Sequence, residues 1–290
     1  MLGNNSLKNG FLLKLKEYKK RPFSLMIRLL VYLSAIITFA VLVFIVGHIL
    51  INGLPYINID IFAWEYTSDN QSMMPAIINT LIMTFISLLI AVPLGIFSAI
   101  YLVEYSKKGN KITAIIRITA ETLTGIPSII YGLFGFLFFV IALDLGYSII
   151  SGACTLAIMV LPVIMRSTEE ALLSVPDSFR EASFGLGAGK LRTVFKIVLP
   201  SAISGILSGV ILSIGRIVGE TAALMYTSGT VTKIAGSIFD SGRTLSVHMY
   251  SLSREGIHVN QSYATAVVLL VIVILINSLS SLIANKIKKA

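Results

Sequence analysis

Long apolar runs separated by short polar segments dominate this chain from Leu29 onward. A helix that crosses a bilayer needs about 20 mostly apolar residues. The pattern predicts six such spans: Leu29–Ile51, Ile77–Val103, Pro127–Leu145, Ile149–Arg166, Ala202–Tyr226 and Tyr263–Ile287. The fourth is the weakest, because Gly152, Cys154 and Pro162 interrupt it. Breakers are tolerated in lipid where neighbouring helices satisfy the freed backbone, so this span is expected inside a bundle. The first run exceeds the apolar core of a signal peptide and lacks a convincing small-residue cleavage site after it, so it reads as a retained helix. The fold class expected is all-α: one polytopic bundle of about six transmembrane helices, residues 29–287, behind a basic tail of residues 1–28.

Composition agrees with the pattern. Of 290 residues, 56% are hydrophobic and 13% charged, against roughly a quarter charged in soluble domains. The net charge of +9 raises the question of nucleic acid, but its distribution points to a membrane. With the amino terminus inside, all of the 23 Lys and Arg residues except Lys233, Arg243, Arg254 and Arg216 fall on the cytoplasmic side. That is the positive-inside asymmetry, and it places both termini in the cytoplasm. The Lys8–Arg28 cluster suits anionic lipid headgroups. Cys154 lies alone in an apolar span, so no intramolecular disulfide forms and a small buried hydrophobe is the expected role.

The polar segments differ in kind. Residues 52–75 carry Asp60, Glu65 and Asp69 with Tyr56, Phe62, Trp64 and Tyr66, as an interfacial outer loop does. Tyr105–Thr124 is expected as a cytoplasmic lead-in to the third span. Thr227–Ser262 is expected as a long polar outer loop. Its His248 and His258 lack a nearby Cys or carboxylate cluster, make a poor metal site, and are expected to be solvated or interfacial. No metal or other cofactor is expected, and no repeat of 20–50 residues is present.

Arg166–Pro200 is too polar for lipid and too patterned for disorder. Val175-Pro176-Asp177 opens a short helix, since Pro suits a first turn and Asp the positive end of the helix dipole. Gly185, Gly187 and Gly189 break it. A second amphipathic stretch, Leu191, Val194, Phe195 and Val198, is expected to close at Pro200. Two short helices around a glycine turn form a knob that can dock in a soluble partner's groove. Within it, Glu181-Ala182-Ser183, Gly187, Ile197, Leu199 and Pro200 reproduce the spacing E-A-A, three residues, G, nine residues, I-x-L-P. This resembles the signature of the membrane permeases of binding-protein-dependent ABC importers, of the MetI-like type I fold, with Ser183 in place of the second Ala. The resemblance implies that the loop docks ATPase subunits. An ordinary interfacial hairpin needs no fixed Glu, Gly and Leu-Pro.

The fifth span holds Arg216 and Glu220, four residues apart and so able to pair on one helix face. Charges inside a membrane normally face a cavity or each other. A guanidinium fork at Arg216 suits a phosphate-like anion, with Glu220 neutralising it when the path is empty. A structural ion pair is the alternative. Gly205 with Gly209, and Gly215 with Gly219, give small faces for close packing, consistent with a second permease alongside. In Gly125–Gly135, Pro127 and the hydroxyls of Ser128 and Tyr131 suit a broken-helix site, or simple packing.

Three segments together resemble the phosphate importer permeases: Gly125 to Leu133, Leu161-Pro162 with Arg166 to Leu172, and Gly215-Arg216 with Gly219-Glu220-Thr221-Ala222. The likeness covers about residues 76–286, and Gly-Glu-Thr-Ala with the short chain favours the PstA type over the paralogous PstC type. It implies phosphate import across a bacterial or archaeal cytoplasmic membrane. The partners implied are a PstC-type permease, an ATPase dimer (PstB type) and an extracytoplasmic phosphate-binding protein (PstS type). The chain has no G-x-x-x-x-G-K-[ST] loop of its own, and no intramembrane catalytic motif, so it is not expected to be an enzyme. Sulfate or molybdate as substrate, and an ion channel, are the competing readings.

Overall fold

The computed structural model describes residues 22–107 and 109–289, and their regular structure is helical throughout. The expected basic tail lies outside the described residues up to Arg21, and the first helix, α1, already begins within it (Pro22–Gly53). This helix holds a long apolar stretch, and up to Asn52 it belongs to a unit of its own.

From Gly53 the chain builds a second unit. The helix α2 (Met74–Ile100) starts with Pro75 in its first turn, where the missing N–H has no role, and continues as a π-helical turn, Tyr101–Tyr105. The next helix, α3 (Lys111–Thr124), is capped by Asn110, whose side chain accepts from the Ile112 amide. Gly125-Ile126-Pro127 ends it, and α4 (Ser128–Gly135) leaves at 105° and runs into a π-helical stretch, Phe136–Ala142. The bend separates the expected lead-in from the expected third span, which runs from Ser128 to Ala142 rather than from Pro127 to Leu145. At about 1.5 Å per residue, Ser128–Ala142 reaches only about 22 Å, short of a hydrocarbon core of about 30 Å. Among the described residues five helices are long and apolar enough to cross a membrane, six if the bent pair counts as one span.

The helix α5 (Ile149–Leu173) is the hub. Two thirds of its most apolar stretch is buried, against a third for α2. The breakers that weaken it on paper are what let it sit there. Gly152 lies beneath Ser228, Met83 and Leu224, while Gly95 of α2 approaches Ile164 so closely that a Cβ would stand 2.8 Å from Cγ2. Pro162 lies within the helix without ending it. Several buried hydroxyls return to the carbonyl one turn back, as with Thr84 to Thr80 at 2.7 Å and Thr155 to Ser151 at 2.8 Å, which satisfies those donors within the apolar interior; the buried Thr168 hydroxyl has no such partner.

After α5 come α6 (Asp177–Gly185), α7 (Lys190–Thr193) with the π-helical turn Val194–Val198, α8 (Leu199–Val218), α9 (Ala222–Thr227), α10 (Leu245–Glu255) and α11 (Val259–Lys289). Two expectations change here. Lys190–Val218 runs as one helical stretch, so Pro200 does not close the second arm of the knob. The wider π-helical turn just before Pro200 absorbs the ring and the missing donor. The fifth span also ends at Val218 rather than Tyr226, because Gly219 caps it and Thr221 leaves helical geometry at φ −123°.

The polar segment 227–262 is only partly solvated: residues 227–229 and 242–248 are buried, while Lys233, Ser237, Asp240 and Ile257 are exposed. Asn79 of α2 holds it, donating to the Lys233 carbonyl at 3.0 Å and accepting from the Ala235 amide at 3.1 Å. Carbonyls of Ile238 and Asp240 accept from the first amides of α5, Ile150 and Ile149, both at 2.9 Å. Arg243 is 5% exposed and His248, on α10, is wholly buried. His248, expected to be solvated or interfacial, is buried instead, whereas His258 is half-buried. The Tyr66 ring covers Arg243 and His248, 4.7 Å from the Arg243 guanidinium carbon and edge-on to His248. Burial, and then the neighbouring Arg243, depress the His248 imidazole to about 3, so it is neutral. Desolvation likewise lowers Arg243, against the opposing pull of Tyr66.

Candidate docking knob and fifth span

Pro176 and Asp177 open α6, and its last turn closes through the Leu186 amide on Ala182 O and the Gly187 amide on Phe184 O. Gly187 then takes φ +81°, in the left-handed region, with nothing within 4 Å of a would-be Cβ. The backbone, not crowding, requires glycine there. Glu181 and Ala182 are exposed, while Ser183 is 4% exposed and its hydroxyl meets that of Thr193 at 2.8 Å. Ser183 thus ties the two arms of the knob together, which Ala at that position could not do. Phe184, Leu186 and Leu191 stand exposed around the turn, Leu186 at 89%. Ile197 and Leu199 are half-buried and Pro200 exposed. This is an apolar, glycine-hinged projection with the exposed carboxylate of Glu181, the features of a docking surface.

Spacing did not single out Arg180. Its guanidinium accounts for all five N–H donors. Nε and Nη2 reach Glu104 Oε1 at 3.0 and 2.8 Å; Nη2 also donates to Leu172 O at 2.9 Å; and Nη1 donates to Val175 O at 2.8 Å and Asp177 Oδ1 at 3.1 Å. Both partners of the ion pair are largely covered, at 14% and 8% side-chain exposure. One trace in the sequence is an Arg beside the Glu-Ala pair. Asp177 stands three residues before it, a helical pairing distance, but the acceptors that brace it, Glu104 76 residues back and two backbone carbonyls, leave no spacing signal.

Arg216 and Glu220 do not pair. The helix carrying Arg216 ends two residues before Glu220, so the i, i+4 geometry is lost. Glu220, 8% exposed, instead accepts from the Ala223 amide at 3.1 Å, and its carbonyl accepts from the Ser246 hydroxyl. Arg216 is half-buried and, among the described residues, makes no ion pair. It lines an open groove with Ser208, Ile211, Leu212 and Gly215 of α8 and Asn277 and Ser281 of α11. Thr221 is half-buried, its hydroxyl 3.4 Å from Gly219 O.

The Gly125–Gly135 segment and the Gly219–Thr227 turn meet each other. Gly132 lies against the Ala222 and Ala223 backbone, where a Cβ would come within 2.7 Å of Ala223 Cα. Tyr131 is 5% exposed and donates to Leu123 O at 2.7 Å, bracing the bend between α3 and α4. Ser128 is half-buried at the bend. Gly205 and Gly209 press on Ala171 and Ser167 of α5, so their face is filled by this chain rather than by a second one. Gly215 and Gly219 have no such neighbour: the nearest atoms to their would-be Cβ are Asn277 Nδ2 at 3.9 Å and the helix's own Gly215 O at 3.5 Å. Among the described residues no cluster of His, Cys, Asp and Glu has metal-binding geometry.

Residues 91–289 match the family described as binding-protein-dependent transport system inner membrane component. Relatives include the probable ABC transporter permease protein YqgI of Bacillus subtilis (strain 168), 36% identical over 77% of this chain and 81% of its own. The phosphate transport system permease protein PstA 1 of Mycobacterium tuberculosis is 35% identical over 72% of this chain and 69% of its own. The phosphate transport system permease protein PstA of Haemophilus influenzae is 32% identical over 74% and 76%. Among solved structures, a chain of a bacterial alginate ABC transporter aligns with a TM-score of 0.68 at 17% identity, covering 94% of this chain and 98% of that one. A chain of the inward-facing MetNI methionine ABC transporter gives 0.57 at 20%, covering 74% and 94%. At those identities the structural likeness concerns the fold. With the family match spanning both the knob and the Arg216 helix, the chain belongs to the binding-protein-dependent transport system inner membrane components, a family of multi-pass membrane permeases.

Proposed function

We propose that this chain is the PstA-type permease subunit of an ATP-driven importer that moves inorganic phosphate into the cell. The observation that carries the reading is Arg216, a half-buried cation in an apolar helix, without an ion-pair partner among the described residues, beside a groove lined by Ser208, Asn277 and Ser281. A bare charge in a span is costly, and a planar fork of donors suits a tetrahedral oxyanion. The names of the relatives point to phosphate. In this reading Arg216 attracts the anion, Ser128 and Thr221 line its way near the bend, and Glu220 and Tyr131 hold the surrounding turns in place.

The knob receives the work. Glu181, Ala182, Gly187 and the exposed Phe184 and Leu186 meet an ATPase subunit, which hydrolyses the ATP, while an extracytoplasmic binding protein delivers phosphate at the opposite end. A second permease of PstC type completes the path, and both termini lie in the cytoplasm. The test is ATP hydrolysis by the assembled complex with binding protein loaded with phosphate, sulfate or molybdate. Stimulation by phosphate alone supports the reading. Stimulation by another oxyanion and not by phosphate would overturn the substrate assignment while leaving the importer class intact.

A further inference from the structure

We propose that Arg180 is a positioning residue for energy coupling: it locks the docking knob to α2 and α5, so that the knob and three spans move as one rigid body. The inference rests on the importer reading above. The knob has two arms. The second arm, α7, runs without a break through the π-helical turn into α8, the helix of Arg216. The first arm, α6, joins α5 by only the short link Ser174-Val175-Pro176, and without a cross-brace would swing on it.

Arg180 is that brace. Its bonds to Leu172 O and Val175 O fix α6 to the end of α5 across the link. Those to Glu104 fix it to the π-helical turn that ends α2. The same turn holds the other arm, with Lys190 Nζ 5.0 Å from the centre of the Tyr105 ring. The Ser183–Thr193 hydroxyl bond then closes the bracket. Beneath it the apolar contacts of Ile100, Leu102, Leu172, Val175, Val194 and Val198 join the same three helices. A push on the knob therefore reaches α2, α5 and α8 together, and the Arg216 helix is displaced with the hub. Lys in place of Arg keeps the charge but has three donors at a single point, and cannot span the four acceptor atoms that Arg180 reaches with five bonds.

The test uses the assembled importer in proteoliposomes and reads phosphate taken up and ATP hydrolysed in the same vesicles. With Arg180→Lys, the ATPase should co-purify as with wild type and hydrolysis persist, while phosphate moved per ATP falls at least tenfold. Glu104→Gln, which leaves every donor an acceptor, should give a smaller fall. Spin labels at Leu186 and Tyr101, placed in a Cys154→Ala chain, should keep one separation with and without nucleotide in wild type, and separate with nucleotide in Arg180→Lys. An unchanged phosphate-to-ATP ratio in Arg180→Lys, or a wild-type label separation that changes with nucleotide, overturns the proposal. So does loss of ATPase co-purification in both variants, which would make Arg180 a residue of folding or docking. If wild type takes up no phosphate, the substrate reading fails, and the label separations still decide the role of Arg180.

Discussion

The hydroxyls of Ser183 and Thr193 meet at 2.8 Å across the buried inside of the knob, joining two helices that a glycine turn separates. Thr193 Oγ1 also lies 3.2 Å from Gly189 O, so the two side chains are not equivalent. Ser183→Ala leaves Thr193 a partner and should cost about 0.5–1.5 kcal/mol. Thr193→Val strands the Ser183 hydroxyl and should cost more, roughly 1–3 kcal/mol. Thermal unfolding of both variants in detergent checks the order. Equal losses would count against the asymmetry.

Gly187 tests backbone against bulk. Since nothing crowds the position, Gly187→Ala should weaken ATPase docking only through the left-handed backbone, at a cost of about 1–2 kcal/mol. Gly187→Asn should be tolerated better, because Asn enters that region more readily. Co-purification of the ATPase with each variant gives the answer, and an Asn variant as impaired as Ala would show that the contact surface matters rather than the turn.

Arg216→Gln should lower phosphate uptake at least about tenfold, as expected for loss of a charge-assisted hydrogen bond worth roughly 1.5–3 kcal/mol, with the complex still assembled. Because Glu220 faces Ala223 and not Arg216, the effects of Arg216→Gln and Glu220→Gln on uptake should multiply to within about twofold. A double variant better than that product would reveal an ion pair that this conformation does not contain.

His248 makes stability fall in acid. Its folded value of about 3 lies below the usual imidazole value of 6.5, so the unfolded chain takes up the proton first. Stability from this group is full above pH 6.5 and is lost as pH falls toward 3, at up to about 1.4 kcal/mol per pH unit. The facing Arg243 guanidinium acts with burial in the same direction, since its charge opposes protonation of the imidazole, and the Tyr66 ring covers both groups. Melting temperature measured between pH 7 and 5 should flatten in His248→Leu, and an unaltered slope would place the acid sensitivity elsewhere.

Exposure at the two ends allows a direct topology experiment. Leu186 and Ile257 are 89% and 81% exposed. In a Cys154→Ala chain, Ile257→Cys should react with a membrane-impermeant thiol reagent on intact cells, and Leu186→Cys only after permeabilisation. The reverse pattern would invert the proposed orientation.

Apolar runs made the long helices and the knob legible, because burial in lipid and a glycine turn both act over a few neighbouring residues. The break at Gly125–Pro127 was legible, since a charged, amphipathic lead-in gives way there to an apolar run, but its 105° angle was not; nor was the early end of α8, since Ala222–Tyr226 beyond it stays largely apolar. Hydropathy measures transfer to lipid and is blind to direction. The segment 227–262 misled in the opposite sense: part of its backbone serves helix ends and Asn79, and residues 242–248 are buried, although its composition is polar throughout. Arg180 and the Gly205–Gly209 contact depend on α2 and α5, which only the assembled bundle brings near.

The covering of the first turn of α5 has an electrostatic consequence. A helix start carries roughly half a positive charge, and its free amides commonly capture anions. Here the four opening amides of the hub helix are all taken: Ile149 and Ile150 by the carbonyls of Asp240 and Ile238, Ser151 by the Ser148 hydroxyl, and Gly152 by Ser148 O. An anion arriving at that end finds the most central dipole of the bundle already quenched by the chain's own oxygens. Attraction is thereby left to discrete side-chain charges, whose strength a single substitution can retune without disturbing the hub.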